Sequence, residues 1–202
     1  MEITKSSRHQ KIIGEFGERL ICNWLSRSGF EVTIVDHTGI DIVAYHPLSR
    51  QRLGITVKSR TRITGKEDES VNIFSYQDGK DDRRKLIDAC QAFACEPWIA
   101  IYVEATDYAE VYLTSLENYD QKYRGKKGKA IDDWKMKANY RKRYEEDRPW
   151  SSFRPSDYDL DTDSCGFTLI LAPSSALIRV PFELVAETTI NAKKTLASST
   201  SE

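Results

Sequence analysis

Residues 39–58 read GIDIVAYHPLSRQRLGITVK, two apolar β-type runs on either side of a polar stretch that contains Pro47. Short runs rich in Ile and Val, bounded by turn-forming residues, are typical of strands. The pattern therefore predicts a hairpin of two strands, 40–45 and 53–58, and this hairpin decides how the rest of the chain is interpreted.

A charged residue interrupts each of these apolar strands. Alternate residues of a strand share a face, so Asp41 lies on one face of the first strand, and Thr56 and Lys58 share one face of the second. With the turn centred between Ser49 and Arg50, Asp41 lies opposite Lys58, at the end of the hairpin away from the turn. Charges inside apolar strands are rarely buried without a partner or a purpose. A structural salt bridge and a functional site are both consistent with the pair.

The remaining periodicity indicates further helices and strands around this hairpin. Helical spacing predicts helices over 7–28 and 81–94. Apolar runs predict strands at 30–35, 71–74 and 98–104, an edge-like strand at 110–113, and a late hairpin of 166–172 with 176–181. This order of elements is typical of an α/β fold with a central mixed β-sheet flanked by helices.

The length of 202 residues favours one domain. We expect a single domain over residues 1–185 and a flexible tail over 186–202. Within the domain, residues 117–164 are charged and aromatic, and we interpret them as an insertion. SDYDLDTDS at 156–164 lacks the Gly and Glu of a calcium-binding EF-hand loop and is expected to be a solvated acidic loop.

Composition excludes several classes of protein. Thirty Lys and Arg against 31 Asp and Glu give a net charge of −1, which excludes a globally basic, histone-like binder. No apolar run reaches the roughly 18 residues of a membrane helix, and the polar N-terminus does not look like a signal peptide. The four cysteines form no C-x-x-C pair, which argues against a structural zinc site. We expect a cytoplasmic protein without a membrane partner.

The first helix carries the motif Gly-x-x-Gly-Glu at 14–18. Glu18 falls at the edge of the apolar arc of the helix, where it is either an ordinary boundary residue or a side chain that reaches around the sheet toward a site. Together with GIDIV at 39–43 and ITVK at 55–58, this motif resembles the PD-(D/E)XK nuclease superfamily, near its restriction-endonuclease-like and Holliday-junction-resolvase-like members. The resemblance implies a restriction-endonuclease-like three-layer fold.

By the same resemblance, Glu18 and Asp41 bind a divalent metal ion, Mg²⁺ or Mn²⁺, and Lys58 is the catalytic lysine. One residue departs from the pattern, since Thr56 stands where the family has an acid two residues before the lysine. Two explanations stay open. Glu18 and Asp41 suffice as metal ligands, aided by the Thr56 hydroxyl and the Val57 carbonyl, or catalysis is lost and binding survives.

Basic residues near the hairpin suit a phosphate backbone. The candidates for nucleic-acid binding are Arg50, Arg52, Arg60 and Arg62, and a second basic region at 122–143 adds Lys126 and Lys127. Trp134 and Tyr140 lie within that second region. They either stack on bases or anchor the segment to the core.

The function expected from these patterns is metal-dependent hydrolysis of phosphodiester bonds in DNA, and RNA stays open as the alternative substrate. Two alternatives remain. The chain is a catalytically inactive nucleic-acid-binding module of the same fold, or it is a scaffold subunit that docks a protein. A homodimer or a partner protein could use residues 117–164 in any of these roles.

Overall fold

The computed structural model describes residues 5–105, 108–125, 129–147 and 175–181. Its elements follow in chain order: α1 (His9–Arg27), β1 (Glu31–His37), β2 (Ile40–Tyr45), β3 (Arg52–Thr61), β4 (Val71–Ser75), α2 (Asp82–Ala92), β5 (Glu96–Glu104), β6 (Tyr108–Ser115), α3 (Leu116–Asn118) with a π-helical turn (Tyr119–Tyr123), β7 (Ile131–Trp134), α4 (Ala138–Glu146) and β8 (Ser175–Pro181). None of the described helices is long and apolar enough to cross a membrane.

A mixed sheet forms the centre of the fold. Its described strands lie in the order β1-β2-β3-β5-β6-β8, and β3 pairs with β5 in parallel while the other neighbours are antiparallel. Helix α1 packs on one face, against residues such as Ile42 and Ile55. Helix α2 packs on the opposite face, where Cys90 Sγ lies 3.5 Å from the Gly54 carbonyl oxygen. The predicted α/β class, with a mixed central sheet flanked by helices, is confirmed.

The hairpin of β2 and β3 differs from the prediction by two residues in register. Val43 lies opposite Gly54 and Tyr45 opposite Arg52, which centres the turn between residues 48 and 49. Asp41 therefore lies at the level of Thr56, and the predicted pairing of Asp41 with Lys58 is wrong. The turn explains the shift. The His46 N–H donates to the Gln51 carbonyl at 2.9 Å, so His46 faces Gln51 and the centre of the turn lies one residue closer to the N-terminus than predicted. A shift of two residues keeps every side chain on its predicted face.

Strand β6 is not at an edge of the sheet. Its outer side pairs with β8 from Thr114↔Ser175 to Tyr108↔Pro181, so the prediction of an edge-like strand is wrong. The pairing partner comes from far along the chain, and local pattern could not reveal it. The other strand of the predicted late hairpin (166–172), the acidic loop (156–164) and the tail (186–202) lie outside the described residues.

The described part of the 117–164 segment is built into the fold. Strand β7 pairs with β4 in a small second sheet, and the aromatic rings of four tyrosines surround Trp134. The Trp134 side chain is 1% exposed, so it anchors the segment to the core and is not free to stack on bases. Tyr140 packs partly buried against the same cluster.

Candidate active site

Asp41 is fixed at the start of β2 by hydrogen bonds from β3. Its Oδ2 accepts the Val57 backbone N–H at 2.6 Å and the Thr56 hydroxyl at 3.2 Å. Both donors stand just beyond the last rung of the β2–β3 ladder, Ile42↔Ile55. The carboxylate thus satisfies a backbone donor that the departing strand no longer pairs, and these bonds determine its orientation.

Lys58 follows on the same face of β3, two residues beyond Thr56. Its side chain is half-buried. In the part of the chain that the structure describes, no ion pair within 4.0 Å includes the Lys58 amine. The amine is therefore not held in a simple salt bridge with Asp41, which was one interpretation of the sequence pattern.

Glu18 reaches this pair from α1. The helix lies close to β3 because Gly17 has no side chain, and a Cβ built there would meet Ser59 Oγ at 2.1 Å. Burial raises the pKa of the Glu18 carboxyl above its usual value, and the nearby charges of Asp41 and Glu15 raise it further, while Arg19 and Lys58 lower it. Glu18 is thus within electrostatic range of both Asp41 and Lys58, and the three predicted residues come together.

The donors present are suited to a hard cation but are few. Two carboxylates that repel one another, Glu18 and Asp41, are a favourable setting for a dication. The Val57 carbonyl points to the same strand edge as its N–H, which donates to Asp41, since both groups of a strand residue face one side. No group of three or more His, Cys, Asp or Glu side chains among the described residues could hold a metal. The set therefore fits Mg²⁺ or Mn²⁺ only with water or substrate oxygens as additional ligands.

Two of the predicted phosphate-binding arginines lie far from this site. Arg50 and Arg52 stand at the turn end of the hairpin, and the Arg52 guanidinium lies over the Tyr45 ring at 5.6 Å. Lys58 is six residues beyond Arg52, which corresponds to about 20 Å of strand. These arginines could contact only a nucleic acid that extends along the whole hairpin.

The other two arginines stand near Lys58 but in different environments. Arg60 is exposed, and its Nη1 donates to the Ser59 carbonyl at 2.7 Å. Arg62 is 12% exposed, pairs with the Glu69 carboxylate at 3.4 Å and donates to the Ser70 carbonyl at 2.8 Å. Arg60 is therefore accessible to a ligand, whereas Arg62 closes the loop before β4.

Many of the described cations of the second basic region are engaged with acids of the same chain. The pairs are Lys122–Asp147, Arg124–Asp132, Arg141–Glu110 and Lys142–Glu146. Lys126 and Lys127, which we predicted to bind nucleic acid, lie outside the described residues. The described pairs stabilise the segment, and the local charge there is lower than the sequence suggested.

Sequence reasoning missed one acid that borders the site. Asp82 is the first residue of α2, and burial raises the pKa of its carboxyl, but hydrogen bonds from Lys85 and the Ser75 N–H and the charges of Lys85 and Lys58 outweigh burial and lower it. Acids are favourable in the first turn of any helix, so the residue type at Asp81 and Asp82 carries no signal of a site. Only the packing of α2 on the sheet shows that this turn lies near the hairpin.

Comparisons with known proteins give limited information. No family model matches the chain, and no curated protein matches it. Among solved structures, the chain is similar to Hjc, a Holliday junction resolvase from Archaeoglobus fulgidus, with 18% sequence identity and a TM-score of 0.42. The match covers 60% of this chain and 83% of that one. At this level of likeness, the functional interpretation depends on the geometry of the site itself.

Proposed function

We propose that the chain is a divalent-metal-dependent nuclease of the PD-(D/E)XK type that hydrolyses phosphodiester bonds in DNA. The observation that carries the proposal is that Glu18 from α1, Asp41 from β2 and Lys58 from β3 interact electrostatically near the end of the hairpin away from its turn, where Asp41 accepts the Val57 N–H at 2.6 Å. Two acids and an amine in a partly buried setting are unusual unless they serve a site.

Each residue has a role that follows from its position. Asp41, oriented by Val57, would hold Mg²⁺ or Mn²⁺ together with Glu18, the Val57 carbonyl and the Thr56 hydroxyl. The bound ion would polarise the scissile phosphate and stabilise negative charge that develops on it. The Lys58 amine, free of a direct salt bridge, would orient the attacking water and help to remove its proton.

A second function is favoured by one observation. The Thr56 hydroxyl, 5% exposed, donates to the Asp41 oxygen at 3.2 Å, so a neutral group occupies the place of a metal-binding acid. Such a site binds cations more weakly than one with three carboxylates. The alternative is a nucleic-acid-binding module of the same fold that has lost catalysis.

A cleavage assay separates the two. Wild type would be incubated with single-stranded, duplex and branched DNA and with RNA, with Mg²⁺, with Mn²⁺ and with a chelator. We expect metal-dependent cleavage of DNA that falls at least about 100-fold in Asp41→Ala and in Lys58→Met. Asp36→Asn, an exposed acid on β1, is the matched control and should cleave like wild type.

The outcomes exclude one another. Salt-dependent DNA binding by wild type with no cleavage of any substrate would favour the binding module. Neither binding nor cleavage would leave the scaffold role, in which the 117–164 segment docks a protein.

A further inference from the structure

Helix α2 covers the sheet face that carries Asp41, Thr56 and Lys58, and its first turn reaches the level of Lys58. Cys90 packs on Gly54. Eight helical residues separate Cys90 from Asp82, about 12 Å of helix. Four strand residues separate Gly54 from Lys58, about 13 Å of β3. The first turn of α2 therefore lies near Lys58 if the N-terminus of the helix points toward that end of β3.

A close contact between Gly39 and the Lys85 backbone shows that the N-terminus of α2 points toward that end of β3. A Cβ built on Gly39 would lie 2.3 Å from the Lys85 carbonyl oxygen, so the turn before β2 rests directly on the first turns of α2. In the register of β2 and β3, Gly39 is at the level of Lys58. Asp82 is one helical turn before Lys85 and thus borders the same end of the hairpin.

The Asp82 carboxylate is held in a fixed position there. Its Oδ2 accepts the Ser75 N–H at 3.2 Å, and its Oδ1 accepts from the Lys85 amine at 3.1 Å. Burial raises the pKa of this carboxyl, but the bonds from Lys85 and Ser75 and the charges of Lys85 and Lys58 outweigh burial and lower it. Asp82 is therefore a fixed negative charge that acts on Lys58 from the α2 side.

The strand that carries Lys58 has no acid of its own, because Thr56 is neutral. We propose that Asp82 is a further acidic residue of this site, a positioning residue that holds the Lys58 amine in place from the helix covering the sheet. The catalytic part of this inference rests on the proposed nuclease function. Among the described residues, no direct salt bridge fixes the long Lys58 side chain. Attraction from Asp82 on one side, and from Glu18 and Asp41 on other elements, would restrict its rotamers.

A double-mutant cycle tests the coupling without any nuclease activity. Thermal unfolding would be measured in chelator for wild type, Asp82→Asn, Lys58→Met and the double variant. Asn keeps an oxygen for the Ser75 N–H, so the fold should be preserved. We expect the double variant to shift the melting temperature by less than the sum of the single shifts, and the difference to shrink at high salt.

The matched control is Asp88→Asn in the same cycle with Lys58→Met. Asp88 is on the same helix, 61% exposed and paired with Arg84, and its shift should add to that of Lys58→Met. If the Asp82 cycle is as additive as the Asp88 cycle, the proposal is overturned.

Cleavage kinetics provide the second measurement. Asp82→Asn should lower kcat at least about tenfold with KM for DNA unchanged, because positioning of the amine matters for the chemical step and not for substrate binding. Asp82→Glu should recover part of the loss, and Asp88→Asn should match wild type. An Asp82→Asn enzyme as fast as Asp88→Asn would overturn the proposal. A wild type that cleaves nothing would contradict the nuclease function itself, while the unfolding cycle would still decide whether Asp82 acts on Lys58.

Discussion

Thr56 is the residue of the proposed site that separates the nuclease from the inactive binding module. Its hydroxyl donates to Asp41 and is buried beneath α2, so the position is inside the site although it carries no charge. A carboxylate there would stand beside Asp41, where a dication would neutralise both acids. Without metal, the same two carboxylates would repel each other at close range.

We therefore expect Thr56→Glu to have opposite effects with and without metal. In chelator, its melting temperature should fall below that of wild type, because a buried charge faces a like charge. With Mg²⁺ or Mn²⁺, it should show a larger metal-induced rise in melting temperature than wild type, since a ligand that binds only the folded state stabilises it. Calorimetric titration should show metal affinity higher by about tenfold or more, equivalent to roughly 1.4 kcal/mol.

The control is the double variant with Asp41→Ala, which should lose the gain because Thr56→Glu supplies a second ligand and not a whole site. If Thr56→Glu binds metal no more tightly than wild type does, Thr56 is not next to a cation and the inactive binding module is favoured.

Glu18 gives the site a pH dependence of known sign. Its pKa in the fold is raised above 4.5, chiefly by burial and then by the Asp41 charge, so the folded state binds the proton more tightly than the unfolded state does. The free energy of unfolding therefore falls as pH rises from the ordinary carboxyl pKa through the raised one. Metal binding would offset this loss.

Glu18→Gln removes that titration. In chelator, the variant should be more stable than wild type near pH 7, and the difference should vanish near pH 3, well below the ordinary glutamate pKa, where Glu18 is protonated in both states. Thermal unfolding across this range measures it. Glu31→Gln, an exposed glutamate at the start of β1, serves as the control and should follow wild type. A constant difference between Glu18→Gln and wild type at all pH values would contradict the prediction.

At the scale of elements, α1 can present Glu18 only because it lies unusually close to β3. Gly17 is buried where a Cβ would meet Ser59 Oγ at 2.1 Å and Ser59 Cβ at 3.3 Å, whereas a Cβ at Gly14 would meet nothing within 4 Å. Both glycines are in the same helix. Packing requires a glycine at Gly17 but not at Gly14.

The two alanine variants should thus differ in sign. Gly14→Ala should stabilise the protein by up to about 1 kcal/mol, the gain in helix propensity. Gly17→Ala should destabilise it by about 1–3 kcal/mol, because the overpacking exceeds that gain. Adding Ser59→Ala should restore part of the loss, since it removes the nearest atom. Denaturant unfolding measures all three variants, and equal stabilisation by Gly14→Ala and Gly17→Ala would refute the close approach.

The elements were predictable to the extent that they depend on local pattern. Alternation in β2 and β3 placed Asp41 and Lys58 on one face, and that conclusion survives a two-residue error in register because the side-chain period of a strand is two. The error arose in the turn, where Arg50 adopts a positive φ of 58° that nothing in the sequence required. Strand alternation is local, whereas turn geometry depends on the bonds around His46.

Features that depend on distant packing were not predictable. Asp82 lies in the helix predicted over 81–94 and had no predicted role, and its place beside the hairpin follows from the contact of Gly39 with Lys85. In the same way, β6 looked like an edge strand until β8 was seen to pair with it. Each of these errors concerns segments more than 40 residues apart in the chain.

At the scale of the whole molecule, the balance of 30 basic and 31 acidic side chains leaves little net charge for binding nucleic acid. Many basic residues of the described chain are paired with acids, as Lys122 is with Asp147. In the proposed function, the phosphate backbone would be bound by basic side chains whose charge faces solvent and is not paired with an acid. Near Lys58, this criterion selects Arg60 and not Arg62.

Salt dependence of DNA binding distinguishes these two arginines. Arg60→Ala should reduce the slope of log K against log salt by about 0.9 for duplex DNA, with similar loss across sequences, because one phosphate contact disappears. Arg62→Ala should leave the slope unchanged and instead lower stability by about 1–3 kcal/mol, since the Glu69 and Ser70 carbonyls lose a charged donor. Fluorescence anisotropy at several salt concentrations measures the slope, and thermal unfolding measures the stability.

Arg52→Ala, at the far end of β3, tests whether the bound nucleic acid extends along the hairpin, since only an extended contact would change the salt slope of this variant. A slope reduced by Arg62→Ala and not by Arg60→Ala would mean that the loop before β4 opens on binding and that the assignment of the two arginines must be reversed.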